Sequence, residues 1–130
     1  MSSIFSKIIE RKIPSHKIYE NDLVYAFLDI NPIYPGHTLI VPKIEVDKFT
    51  DVPEPYYSEV FKAAKKIAPA IQKAIKPDRV GCFIEGFDVP HFHYHLIPIF
   101  KGKKTFSAPR QKPTNENLES ISKTIIKNLD

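Results

Sequence analysis

The chain has 130 residues, a net charge of +4 at pH 7 and 42% hydrophobic residues, which predicts one soluble domain with its own core. No apolar run is long enough to cross a bilayer, so a membrane partner is not expected. The first residues lack the order of a secretory signal, and a single cysteine, Cys82, excludes an internal disulfide. These features predict a cytoplasmic protein. The excess of lysine favours anionic ligands only weakly, because it also suits a solvated surface.

The first third of the chain predicts a helix followed by three strands. Apolar residues share one face over 4–12, which predicts a short helix that Pro14 ends. Asn21 and Asp22 predict a tight turn, and two prolines with Gly36 predict a loop. Strands are predicted over three apolar or aromatic segments, 17–20, 24–28 and 37–41.

The longest periodic segment predicts a helix over 55–75, with apolar residues on one face and lysines on the other. Strands follow over 79–85 and 91–100, joined by a tight connection through Gly86. Helical spacing returns over 115–129. Together these elements predict an α+β fold, with a mostly antiparallel sheet of about five strands and a long helix packed on it. One domain is expected over 1–130, with its core over about 3–100 and a tail over about 101–130.

Three histidines alternate in one short segment, at His91, His93 and His95. In a strand, alternate side chains share a face, so the three imidazoles are expected together. The opposite face is then lined by Phe92, Tyr94 and Leu96. Imidazole is nucleophilic and exchanges protons near neutral pH, which suits chemistry on phosphate esters. Two other interpretations are open: His-x-His is a zinc or copper ligand spacing, and single histidines are often ordinary core or surface residues.

The segment His91–Ile97 resembles the motif His-x-His-x-His followed by apolar residues of the histidine triad (HIT) family, close to its Hint-like branch of purine nucleoside phosphoramidases. Residues 4–14 resemble the first helix of that family, and residues 27–43 resemble its nucleotide-binding segment. The resemblance covers about residues 3–100. It implies the HIT fold, a purine nucleotide substrate, no cofactor and a homodimer.

The resemblance also implies a role for each matching residue. His93 matches the nucleophile that attacks the α-phosphate and forms a nucleotidyl-histidine, and His91 matches the residue whose carbonyl orients it. His95 and His37 match residues around the phosphate, and Asp29 matches the acid that binds the ribose hydroxyls. The other expected nucleotide contacts are Ile4, Phe5, Ile8, Ile13, Phe27, Leu28, Ile30, Asp88 and Val89.

Several positions depart from the family's pattern. Asp88 falls where a serine or glutamine donor is usual, and a carboxylate repels a phosphate at short range. Asp88 therefore predicts a preference for amine leaving groups over polyphosphates. Ser3, Ser6 and Glu45 stand where some relatives carry zinc ligands, which predicts no metal site there. Ile84 stands where an asparagine is usual.

Other functions remain open from the sequence. A dinucleoside polyphosphate hydrolase would use the same residues, and a non-catalytic nucleotide-binding or partner-binding module would keep the slot without turnover. Asp88 is the feature that keeps the non-catalytic alternative open. A nucleic-acid partner is not favoured, because relatives that act on DNA ends generally add a DNA-binding segment and the basic tail here is short.

Overall fold

Five antiparallel strands form one sheet in residues 2–130, which the computed structural model describes. The strand order is β1-β2-β3-β5-β4, so the predicted α+β fold with about five strands is confirmed. In chain order the elements are α1 (Ile4–Ile9), β1 (Lys17–Glu20), β2 (Val24–Leu28), β3 (Thr38–Pro42), a single 3₁₀ turn (Phe49–Asp51), α2 (Tyr56–Ile75), β4 (Arg79–Ile84), β5 (Tyr94–Ile99) and α3 (Asn115–Lys127).

Alternation along the strands separates two apolar clusters, one on each face of the sheet. In β2, Ala26 and Leu28 belong to the main core, which α2 covers with the face that carries Val60, Ile67 and Ile71. The intervening β2 residues belong to a smaller cluster on the opposite face, which also holds Phe5 of α1. Helix α3 packs against α2 and β1. Both faces of the sheet are therefore covered, and α1 is the helix that packs on the smaller cluster.

Helix α1 is shorter than predicted. Its N-cap is Ser3, whose hydroxyl accepts from the Ser6 N–H at 3.0 Å. Its end is set by Arg11 rather than by Pro14, because Arg11 adopts a left-handed conformation with φ of 63°. The N–H of Lys12 returns to the Lys7 carbonyl at 2.9 Å, which satisfies the end of the helix.

Strand β5 begins three residues later than predicted, so the prediction that three histidines share one strand face is wrong. His91 and His93 precede the strand, and only His95 lies within it. The connection from β4 is correspondingly long, over residues 85–93, and it is irregular. Phe92 pairs with the distant Val46 carbonyl at 2.6 Å rather than with a neighbouring strand.

Strand β4 lies at an edge of the sheet, and its outward side chains are accessible. Cys82 is exposed there, because the strand has a neighbour on one side only. Among the residues described, no helix is both long and apolar enough to span a membrane.

Candidate active site

A cavity of about 450 Å³ opens on the α1 face of the sheet. Its walls come from α1, the end of β2, the 85–93 connection and β5. The sequence-predicted residues that line it are Ile4, Phe5, Ile8, Ile13, Phe27, Leu28, Asp29, Ile30, Asp88, Val89, His93 and His95. His37 and His91 do not line this cavity: His37 is fully buried and bonded to His95, and His91 is buried beside a second cavity described below.

His93 is held with one ring nitrogen directed into the protein. Its Nδ1 lies 2.7 Å from the His91 carbonyl oxygen, and because a carbonyl only accepts, Nδ1 carries the proton. In the neutral ring Nε2 is then an unprotonated nitrogen with a free lone pair. The ring edge packs against Phe5 at 5.0 Å between centroids and against His95 at the same separation. This orientation leaves a nucleophilic nitrogen at the cavity.

A chain of hydrogen bonds fixes the tautomers of His37 and His95. The Ile33 N–H donates to His37 Nδ1 at 3.1 Å, so His37 carries its proton on Nε2. That Nε2 donates to His95 Nδ1 at 2.8 Å, which places the His95 proton on Nε2. His95 Nε2 is buried and has no hydrogen-bond partner among residues 2–130. The chain therefore ends in an unused N–H donor beside the cavity.

Both of these histidines are neutral at pH 7. Burial lowers the pKa of His37 to about 4, with Asp29 opposing the shift and the Arg110 and His93 charges adding to it. Burial also lowers the pKa of His95 to about 2, helped by His37, His93 and Arg110. The His95 ring stacks on Phe83 with centroids 4.1 Å apart, which removes one ring face from water. The neutral states keep the donor and acceptor roles of the chain in place.

His37 reaches this position because the preceding loop turns sharply at Gly36. The φ of Gly36 is +99°, and a Cβ there would lie 2.8 Å from Ile75 in α2. The His37 N–H donates to the Tyr34 carbonyl and its own carbonyl accepts from Asp29 N–H, both at 3.0 Å. The loop is thus closed over a fully buried imidazole.

His91 anchors α1 to the site. Its Nε2 donates to the Pro42 carbonyl at 2.9 Å, so Nδ1 is the acceptor and receives the Ser3 hydroxyl at 2.8 Å. Glu45 accepts from the Ser3 N–H at 2.6 Å and from the Ser6 hydroxyl at 2.7 Å. These hydrogen bonds lower the pKa of Glu45, and the bond from the Ser3 N–H has the largest effect. Two hydroxyls, one carboxylate and one imidazole already joined by hydrogen bonds do not fit a structural zinc site, which takes thiolate and imidazole ligands.

Asp29 stands at the other end of the cavity. Its Oδ1 accepts from the Asn31 N–H at 2.9 Å, and its Oδ2 accepts from Arg110 at 3.0 Å and lies 3.8 Å from His37 Nε2. Ligand atoms of Asp29, His37 and His95 all lie within 4.8 Å of one another, a spacing that a metal ion could use. The His37–His95 hydrogen bond and the Arg110 cation beside Asp29 already occupy these groups, so we assign no metal to them.

Arg110 is a site residue that the sequence does not predict. It comes from the irregular segment 101–114, which we call the C-terminal strap, and it lines the same cavity as Asp29. No periodicity or motif marks it, because its partners lie about eighty residues earlier in the chain. Phe83, whose ring stacks on His95, was also missed, since it looks like an ordinary strand residue.

A second cavity of about 400 Å³ adjoins the first at His93. His93 and Val89 line both cavities. The second cavity carries Lys48 and the exposed side chains of Phe49 and Phe87. Asp88 lines the first cavity, as Asp29 does.

Comparisons with known proteins agree with this architecture. A family model described as the HIT domain matches residues 10–102. Adenosine 5′-monophosphoramidase HNT1 of Saccharomyces cerevisiae is 35% identical over 134 residues, covering 98% of this chain and 82% of that protein. Protein hit of Bacillus subtilis is 35% identical, covering 97% of this chain and 93% of its own length. A solved Hit-like protein involved in cell-cycle regulation from Bartonella henselae superposes with a TM-score of 0.90 at 35% identity, covering 98% of this chain and 97% of its own. The chain belongs to the HIT family.

Proposed function

We propose that this protein is a nucleotide hydrolase or transferase that acts on the α-phosphate of purine nucleoside phosphoramidates or related nucleotidyl conjugates. The observation that carries the proposal is the orientation of His93, whose Nδ1–H is bound to the His91 carbonyl so that Nε2 is free at the cavity. Similarity to a yeast adenosine 5′-monophosphoramidase supports the phosphoramidate class. The apolar walls suit a purine ring, and Asp29 suits adjacent ribose hydroxyls because a carboxylate only accepts.

In the first step, His93 Nε2 attacks the α-phosphorus and the bond from phosphorus to the leaving nitrogen breaks. The leaving nitrogen takes one proton from solvent and departs as an amine, and a nucleotidyl-His93 remains. In the second step, water attacks the phosphorus, the bond to Nε2 breaks, and the water returns one proton to solvent. The products are a nucleoside monophosphate and the neutral imidazole.

His95 supports both steps without exchanging its proton. Its Nε2–H is the unpartnered donor at the end of the His37 chain, and because His95 lines the same cavity as His93, this N–H can donate to the phosphoryl oxygens as they gain charge. A donor that is already oriented needs no rearrangement when the charge develops. His37 acts through His95, because it fixes which His95 nitrogen carries the proton.

The test uses an adenosine phosphoramidate and intact-protein mass measured after an alkaline quench. Wild type should show a transient mass increase of one adenylate and release of amine. His93→Ala should lose the adduct and slow turnover by several orders of magnitude, while it still binds AMP. His16→Ala is the matched control, because His16 lies outside the cavity against Asn115. Near-wild-type turnover by His93→Ala would refute the mechanism, and AMP binding without any turnover by wild type would select the non-catalytic alternative.

The same protein is proposed to form a homodimer through the β4 edge. Strand β4 has a neighbour on one side only and exposes Ile84. An unpaired strand edge with an apolar side chain is a surface on which a second copy can extend the sheet. Light scattering should give twice the chain mass, and Ile84→Lys should shift it toward the monomer. A monomeric wild type at micromolar concentration would exclude this interface.

A further inference from the structure

The C-terminal strap is tied to the loop that carries Asp29. Gln111 N–H donates to the Pro32 carbonyl at 2.9 Å, and the Gln111 carbonyl accepts from the Asn31 side chain at 3.3 Å. The Gln111 side chain donates to the Ile33 carbonyl at 3.3 Å, and the Tyr34 hydroxyl donates to the Lys104 carbonyl. These bonds hold the strap across the Asp29 end of the cavity.

Arg110 uses this position to clamp Asp29. One guanidinium nitrogen, Nη1, donates both to Asp29 Oδ2 at 3.0 Å and to the Asn31 carbonyl at 2.8 Å. The Asn31 N–H holds the other oxygen of the same carboxylate at 2.9 Å. The Asp29 carboxylate is thus fixed from both sides, with 15% of its side chain exposed toward the cavity. A charge-assisted bond from a planar guanidinium orients a carboxylate better than a flexible ammonium does.

The Arg110 charge also opposes the effect of Asp29 on His37. The charged or titratable groups that face His37 are Asp29, Arg110 and His93, together with His95, to which its ring is bonded. Asp29 favours a proton on His37, whereas Arg110 disfavours it. A protonated His37 would carry a hydrogen on Nδ1 and would lose its bond from the Ile33 N–H. The Arg110 cation therefore protects the tautomer chain that ends at His95.

We propose that Arg110 is a positioning residue of the nucleotide site, which holds Asp29 in place for the ribose and neutralises its charge beside His37 so that an anionic nucleotide is accepted. This inference rests on the proposed function, because it assigns the ribose to Asp29. It makes the C-terminal strap part of the site rather than a tail that follows the domain. The ligand class it concerns is a ribonucleoside 5′-phosphate with free hydroxyls on the sugar.

The first experiment measures the Kd of AMP and of its 2′,3′-dideoxy analogue for wild type, Arg110→Ala and Arg110→Lys. Arg110→Ala should weaken AMP by roughly ten- to a hundred-fold, as expected for a lost charged hydrogen bond, and the dideoxy analogue far less. Arg110→Lys should recover part of the loss. Lys112→Ala is the matched control: it removes a charge from the same strap outside this cavity, and its Kd values should equal those of wild type.

A double-mutant cycle decides whether Arg110 acts through Asp29. If it does, Arg110→Ala should add little to the loss already caused by Asp29→Ala. If the fold-losses in AMP affinity of the two single variants multiplied in the double variant, the proposal would be overturned. It would also be overturned if Arg110→Ala bound AMP as tightly as Lys112→Ala does.

A spectroscopic readout separates positioning from simple loss of structure. The His37 ring, followed by NMR, should titrate at a higher pH in Arg110→Ala than in wild type, and Arg110→Gln should behave like Arg110→Ala because it restores a donor without the charge. An unchanged His37 titration in both variants would overturn the electrostatic role. If wild type binds AMP but never forms the His93 adduct, the proposed function is wrong. The role of Arg110 is then still decided by the Kd values and by the His37 titration, which do not depend on turnover.

Discussion

Lowering the pH from 7 to 5 should destabilise this protein, because His37 and His95 are buried in the neutral state. Burial holds the pKa of His37 at about 4 and that of His95 at about 2, so both stay neutral in the folded protein at pH 5. In the unfolded chain both return to the ordinary value of 6.5 and are mostly protonated at pH 5. The unfolded state then binds more protons, so the free energy of unfolding falls as the pH falls.

The size of the effect follows from those pKa values. Each histidine should contribute a loss of about 2 kcal/mol between pH 7 and pH 5, and the pair about 4 kcal/mol. The loss depends only weakly on the folded pKa of each histidine, since both values lie below pH 5. Carboxylates whose pKa is lowered, such as Glu20 and Glu45, lose their contribution mainly below their ordinary value of 4.5 and so outside this window.

Urea denaturation at fixed protein concentration measures the effect as the change in unfolding free energy between the two pH values. His37→Gln should reduce the wild-type difference by about 2 kcal/mol, because one buried neutral histidine is gone while His95 and His91, whose pKa burial also lowers, remain. His16→Gln should keep the full difference, since the buried pair is intact. A wild-type stability that is constant or rises from pH 7 to pH 5 would refute the reasoning.

Three further outcomes are expected. Turnover should survive exhaustive treatment with EDTA, because the proposed steps use imidazole and water only. If activity disappeared on chelation and returned with zinc, Asp29, His37 and His95 would instead be the ligands of a metal site. Asp29→Ala should weaken ribonucleotide binding by roughly 1.5–3 kcal/mol, and it should weaken binding of 2′,3′-dideoxynucleotides far less. Calorimetry measures both affinities, with Asp22→Ala as a surface control, and equal losses for the two sugars would mean that Asp29 has a structural role only. Wild type should cleave phosphoramidates with a higher kcat/KM than dinucleoside polyphosphates. Asp88→Ser should reduce the ratio of the two kcat/KM values by raising that of the polyphosphate, because an ionised aspartate accepts a hydrogen bond but cannot donate one. An unchanged ratio would show that Asp88 does not act on the leaving group.

The alternation of the histidine segment predicts correctly that Phe92, Tyr94 and Leu96 share a face, although the strand is shorter than predicted. Phe92, Tyr94 and Leu96 all enter the main core, as expected for one face of an extended chain. The strand itself begins only at Tyr94, because residues before it bond to the Val46 carbonyl and to their own loop. Alternation is a property of extended backbone, and it does not report whether a neighbouring strand is present.

The cavity walls were predictable and the strap was not. Phe5, Phe27 and Asp29 lie in segments that resemble a known family, so their grouping follows from recognisable local patterns. Arg110 reaches Asp29 across 81 positions of sequence, from a segment with no hydrophobic period. Such a contact depends on the final packing of the strap, and the local chain carries no signal for it.

Helix α1 joins two parts of the molecule that would otherwise be independent. It has six residues, too few to be stable in isolation, so its order depends on its contacts with the protein. Phe5 faces the cavity and Ser3 binds His91, so a nucleotide in the cavity should add to the free energy that keeps the helix docked. Ligand binding and helix docking are then linked equilibria, each strengthening the other by the same amount. Amide hydrogen exchange over residues 4–9 should consequently slow as nucleotide is added, and the slowing should follow the binding curve.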